Sequence, residues 1–192
     1  MTLLMAGAAA AVALIPRRSA WLIFDRPAIL SGQVWRMLTG HWVHFSTRHL
    51  VYDLIPLCVA GWIIEARGVP RFGWFCGLAP WVISAALLVF EPQMRFYGGL
   101  SAMGVALVVL LALDGLGDPP PWRRVCVAAL LGVAGKIVFE LAAGRGLFDT
   151  IDNLPVVISA VAHPAGVATA VIFYGVNRSL IGAARKRGQN PR

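Results

Sequence analysis

The chain is 192 residues long, the length of a single domain. Hydrophobic residues make up 58% of it and charged residues 14%, and the mean hydropathy is +0.72. That composition excludes a soluble enzyme with a charged shell, in which roughly 25% of residues are charged, and excludes a disordered chain. A net charge of +8 would suit nucleic acid, but the basic residues lie in short connectors between apolar runs rather than on one face. Basic loop ends are the mark of a membrane protein, so the expected surroundings are a lipid bilayer and no nucleic acid. Cys58, Cys76 and Cys126 all fall inside apolar runs, with neither a disulfide framework nor metal-ligand spacing, and are expected in the core.

Six apolar segments are expected to form helices. The first, Thr2–Ile15, is short and has no Lys or Arg ahead of it, unlike a secretory signal. A long polar-aromatic connector, Pro16 to His49, follows and carries Trp21, Trp35 and Trp42, side chains suited to a membrane interface. The remaining segments are Leu50–Ile64, Phe72–Phe90, Leu100–Leu116, Val125–Ala142 and Val156–Ile181. A spanning helix takes about 20 residues. The third, fifth and sixth segments meet that length; the others span if flanking residues extend them or the bilayer thins. The later connectors are short and rich in turn formers, such as Gly98-Gly99 and Asp118-Pro119-Pro120-Pro121. A slight excess of Lys and Arg, including Arg185, Lys186 and Arg187, favours both termini in the cytoplasm. Residues 1–192 are therefore expected to form one all-α polytopic membrane domain.

Polar groups inside apolar spans are costly and mark candidate sites. Lys136 and Glu140, four residues apart on one helix face, read as a mutually neutralising structural pair or, in a transporter, as pathway residues. Ser101 opens the fourth segment and His163 is expected about two turns into the sixth, which enters from the same side of the membrane. Two turns correspond to roughly 11 Å of depth, which tilt or loop ends can absorb. Ser101 with Gly104, and His163 with Gly166 and Ala170, offer small residues for close helix approach. A serine hydroxyl needs a base to accept its proton, and histidine does this at neutral pH. Gly98-Gly99-Leu100 leads into a helix N-terminus whose free N–H groups suit an oxyanion. Taken singly, each is also an ordinary feature: a serine bonded to its own helix, a histidine satisfied in a core.

Three further imidazoles, His41, His44 and His49, precede the second segment. They read either as a metal or haem site or as a hydrogen-bonding layer beneath an active site. The absence of a carboxylate or cysteine at ligand spacing beside them favours the layer.

These residues resemble the motifs of the rhomboid intramembrane serine proteases. Gln33-Val34-Trp35-Arg36 is similar to the family's Trp-Arg motif, and His44-Phe45-Ser46 with His49 and Asp53 to its histidine-rich second helix. Gly99-Leu100-Ser101-Ala102 resembles G-x-S-G, and Ala162-His163-Pro164-Ala165-Gly166 resembles A-H-x-x-G. The resemblance covers about residues 30 to 182 and implies a six-transmembrane-helix bundle. It implies a catalytic dyad of Ser101 and His163 without a carboxylate. His49 and the Ser101 N–H become the expected oxyanion donors, Gly99 and Asp53 supporting residues of that site, and His44 a brace for the loop. No metal or organic cofactor is implied; the partners are membrane protein substrates, in a bacterial inner membrane. The small size is similar to the rhombosortase branch, which processes proteins carrying a C-terminal Gly-Gly sorting tail. Three positions depart from the pattern: Ala102 and Ala170 replace glycines, and Asp53 replaces an asparagine. A carboxyl at Asp53 can donate to an oxyanion only when protonated, so a neutral Asp53 is expected if it takes that part. The alternatives are a proteolytically silent rhomboid-like protein that binds membrane clients, and a small transporter.

Overall fold

Apolar runs that must satisfy their own backbone in lipid fold as helices, and a computed structural model describes them over residues 1–15, 19–144 and 159–188. Helix α1 (Thr2–Ala13) leads into the first connector, which is not one irregular stretch. It holds α2 (Ser19–Leu22), β1 (Phe24–Asp25), α3 (Arg26–Leu30), α4 (Arg36–Thr39) and a 3-10 turn at Gly40–Trp42. Then come α5 (Thr47–Ala66), α6 (Phe72–Phe90), β2 (Phe96–Tyr97), α7 (Ser101–Gly115), α8 (Trp122–Ala143) and α9 (Ala162–Gly188). By length and composition α5, α6 and α8 can each cross a membrane, while α1 and α7 are shorter apolar helices.

At 15 residues α7 is about 22 Å long, less than a bilayer core. It tolerates this because it is apolar all round and sits inside the bundle, packed by α5, α8 and α9. Gly166 of α9 lies on the α7 backbone: a Cβ there would stand 2.5 Å from the Ala102 carbonyl oxygen. Gly104, expected to share the α9-facing side with Ser101, instead faces α5, its Cβ direction meeting Pro56 at 3.2 Å. At Gly166 the residues of α7 that meet α9 are Ala102 and Ala106. Helix α8 is peripheral; its single buried residue is Cys126. Of the cysteines, Cys76 and Cys126 are buried as expected and Cys58 is only half-buried.

The start of α9 differs from the expected Val156, a position that lies outside the described residues. The helix begins at Ala162 because Ser159 stops the backbone there, its hydroxyl accepting the N–H groups of Val161 (3.1 Å) and Ala162 (2.8 Å). Glu91, past the end of α6, holds this cap through the Ser159 hydroxyl and the Ala160 N–H. His163 is therefore the second residue of its helix rather than two turns inside it. The difference in depth from Ser101 that the sequence required largely disappears.

The first residue and α9 both meet the end of α5 and the turn after it. The Met1 ammonium pairs with Glu65 near the end of α5, and Asn177 of α9 binds Arg71 and the Pro70 carbonyl in the turn after α5. Arg67 adds contacts to Asp114 (2.7 Å) and Asp118 (2.9 Å) there, which raise its already high proton affinity.

The α7–α9 contact leads to a prediction of opposite signs. Gly166→Ala should lower the thermal unfolding temperature of the detergent-solubilised protein, at a cost of about 1–3 kcal/mol for forcing a methyl against backbone. Gly175→Ala, on the same helix with nothing within 4 Å, should stabilise it by about 0.5–1 kcal/mol through helix propensity. Equal responses of the two variants would contradict the packing.

Candidate active site

The approach to Ser101 is fixed by the first connector. Arg36 is buried and rigidifies that connector: Nη1 donates to the carbonyls of Ala20 and Ile23, both at 2.9 Å, and Nε to Gln33 Oε1 at 2.8 Å. This is what the Gln33-Val34-Trp35-Arg36 motif does in three dimensions. The connector then pairs β1 with β2 in antiparallel register, Phe24 opposite Tyr97. Gly40 makes this possible, since a Cβ there would lie 2.7 Å from the Phe24 nitrogen. Tyr97 is buried, edge-on to both Phe24 and His41.

From Tyr97 the chain turns into α7 through a tight passage. Gly99 has φ +115°, a conformation open to glycine, and any side chain would strike His49 Nε2 and Asp53 Oδ2 at 2.8 Å. Ser46 caps α5 by accepting the His49 N–H at 3.0 Å, which sets His49 in the first turn with Asp53 one turn below. His49 Nε2 and His44 Nε2 each lie 3.2 Å from Asp53 Oδ2. The same oxygen accepts the Leu100 N–H at 2.7 Å. Asp53 Oδ2 thus accepts the Leu100 N–H, with the imidazoles of His44 and His49 beside it. The Leu100 N–H is therefore engaged rather than free. His44 braces the loop through Nδ1, 3.2 Å from the Trp42 carbonyl, and His49 stacks on Phe45.

Ser101 stands at the head of α7, half-buried, where the first-turn amides have no acceptor within the helix. Its hydroxyl hydrogen-bonds the Tyr97 phenol, which reaches the Gly99 carbonyl at 3.5 Å. Burial, reinforced by the negative Asp53, pushes the Tyr97 phenol up, so it stays protonated. His163 heads α9, one turn above the Gly166–Ala102 contact, and is buried. The two residues thus begin adjoining helices at one end of the bundle, while their hydrogen bonds run to other groups, Ser101 to Tyr97 and His163 to α8.

That last partner was missed by the sequence. His163 Nδ1 lies 2.7 Å from Glu140 Oε2, and Lys136 Nζ lies 2.5 Å from Glu140 Oε1 and 3.1 Å from His163 Nδ1. The pair expected to neutralise each other in isolation is aimed at the histidine. Spacing on α8 showed that Lys136 and Glu140 share a face; nothing in it told which helix that face meets. His41 is separate from this cluster. It is fully buried, with Nε2 3.0 Å from the Pro80 carbonyl and 3.1 Å from Ser84 Oγ, fastening the connector to α6. Among the described residues no group of three His, Cys, Asp or Glu side chains is disposed to hold a metal ion.

The family model of the Rhomboid domain matches residues 31–178, a stretch that includes every motif above. The chain belongs to the rhomboid family. The rhomboid protease GlpG of Salmonella newport (strain SL254), of Salmonella heidelberg (strain SL476) and of Salmonella typhi are each 31% identical to it over 102 residues, which is 52% of this chain and 36% of theirs. The chain thus spans about a third of the length of the curated relatives it matches. Family and apolar helices together make it an integral membrane protein.

His41 gives this half of the molecule a pH dependence. Burial pushes its imidazole down to about 4 from an ordinary 6.5, against the opposing pull of the Pro80 and Gly99 carbonyls. The unfolded chain takes up the proton first, so the contribution of neutral His41 is complete above pH 6.5 and is lost as pH falls toward 4, about 3 kcal/mol in all. Unfolding midpoints measured across that range should fall more steeply for the wild type than for His41→Gln, which cannot titrate. Parallel profiles would contradict the buried neutral histidine.

Proposed function

We propose that this protein is an intramembrane serine endopeptidase that cleaves transmembrane or C-terminally membrane-anchored proteins with Ser101 and His163. The observation that carries the reading is that the two residues head α7 and α9, helices held in backbone contact at Ala102 and Gly166. The Ser101 Oγ attacks the scissile carbonyl while His163 Nε2 takes its proton. The imidazolium then gives that proton to the leaving amine, and water, deprotonated by the same base, hydrolyses the acyl-enzyme. Catalytic hydrogen bonds of this kind often tighten only with substrate in place.

The oxyanion falls to the unpaired first-turn amides of α7, Ser101 foremost, with His49 at their edge. Asp53, Gly99 and His44 serve by holding the strand that presents them. The six longer helices, α1 and α5 to α9, are the six spans of this reading, the short α7 being screened from lipid by its neighbours. Both termini lie in the cytoplasm and the site opens on the opposite face. The bacterial inner membrane is the setting that fits the relatives. Gln93, exposed in the turn that leads to β2, reports this orientation. A Gln93→Cys variant lacking the native cysteines should react with an impermeant thiol reagent outside intact cells, and protection there would reverse the topology.

The catalytic reading is tested by substitution in protein reconstituted with a model transmembrane substrate. Ser101→Ala and His163→Ala should each reduce cleavage to background while the folded protein stays in the membrane. Cleavage by either variant near the wild-type rate would refute the assignment.

A further inference from the structure

The carboxylate on α8 has a use that a two-residue site does not supply. We propose that Glu140 is a positioning residue for His163: it accepts the Nδ1–H and so fixes the tautomer in which Nε2 is the basic nitrogen, with Lys136 balancing its charge. This rests on the Ser101–His163 reading above.

The geometry is that of an orienting carboxylate. Glu140 Oε2 lies 2.7 Å from His163 Nδ1, and its other oxygen is occupied by Lys136 Nζ at 2.5 Å. Lys136 also stands 3.1 Å from Nδ1 and 3.4 Å from Nε2. A deprotonated carboxylate only accepts, so the nitrogen facing it carries the proton and the far nitrogen is the base. When Nε2 takes the Ser101 proton, the resulting imidazolium faces a fixed negative charge; Glu140 stays ionised, and the proton leaves again from Nε2 to the amine. Lys136 opposes that charge and limits the gain. The remaining titratable groups on elements packed around His163 are Ser101 and Tyr97 at the head of α7 and Glu91 beyond α6, the last held by Ser159 and Ala160. On α9 none lies within a turn of His163.

The experiment compares the full-length wild type, Glu140→Gln and Lys136→Met in bilayers, reading kcat, KM and the pH profile, alongside ¹⁵N-imidazole NMR of His163. Glu140→Gln should lower kcat on the order of 10²-fold or more with KM within about twofold, the pattern of an interaction made in the transition state. The acid limb of its profile should move to lower pH, because the imidazolium loses its stabilising neighbour. Lys136→Met should move that limb to higher pH. Wild-type spectra should show the Nδ1–H tautomer, and Glu140→Gln a mixture. A destabilised fold alone would reduce active protein without moving either limb. An unmoved acid limb with an unchanged tautomer in Glu140→Gln would overturn the proposal, as would loss of all turnover in Lys136→Met with Glu140→Gln active, which would make the lysine the base. Failure of the protease reading looks different: the tautomer would respond to Glu140→Gln in a wild type that cleaves nothing.

Discussion

A helix whose start is buried in a bundle needs partners for the first amides that its own turns cannot supply. At the head of α7 the Asp53 carboxylate accepts the Leu100 N–H across from α5. The same oxygen gathers His44 and His49, and the left-handed turn at Gly99 exists because no side chain fits between them. One acceptor therefore fixes the connector, the second long helix and the approach to Ser101 at once. The β1–β2 pairing and the Arg36 bonds press the same strand from the other side. The turn beginning at Ser101 follows directly from this anchored strand.

The other half of the site depends on α8, which is barely buried yet carries the polar pair that reaches His163. Three ionisable side chains in an apolar setting would be costly singly; together they supply one another's partners. The arrangement adds a polar tie from α8 to the α7–α9 contact, beside the apolar packing of Trp122, Leu130 and Val133. Any outward movement of α8 would therefore carry Glu140 away from the imidazole. Helix packing and proton chemistry meet at this one point.

Much of this was legible in the sequence, for physical reasons that also explain the gaps. The bounds of α5 to α8 follow from apolar runs bounded by turn formers, and Gly98-Gly99 and Pro119-Pro120-Pro121 interrupt them unmistakably. The start of α9 was misplaced because Val156-Val157-Ile158 extends the apolar run, while the break is made by Ser159 through its bond to Glu91, 68 residues away. The short elements of the first connector have no periodicity; they exist because Arg36 and Thr39 bind carbonyls more than a dozen residues earlier. Ser101, His163, His44, His49, Gly99 and Asp53 were visible as polar residues and glycines in patterned places. Asp53 was visible as a carboxyl but not as an acceptor, since the Leu100 N–H comes from another helix. Tyr97 and the aim of Glu140 were hidden for the same reason.

The central claim is that Ser101 is a nucleophile activated by His163. Treatment of the purified full-length protein with a fluorophosphonate, followed by mass spectrometry of its peptides, addresses that claim most directly. The account predicts a single adduct on the peptide that contains Ser101, absent in Ser101→Ala and strongly reduced in His163→Ala. An adduct that persists in Ser101→Ala, or equal labelling of His163→Ala and wild type, would contradict it.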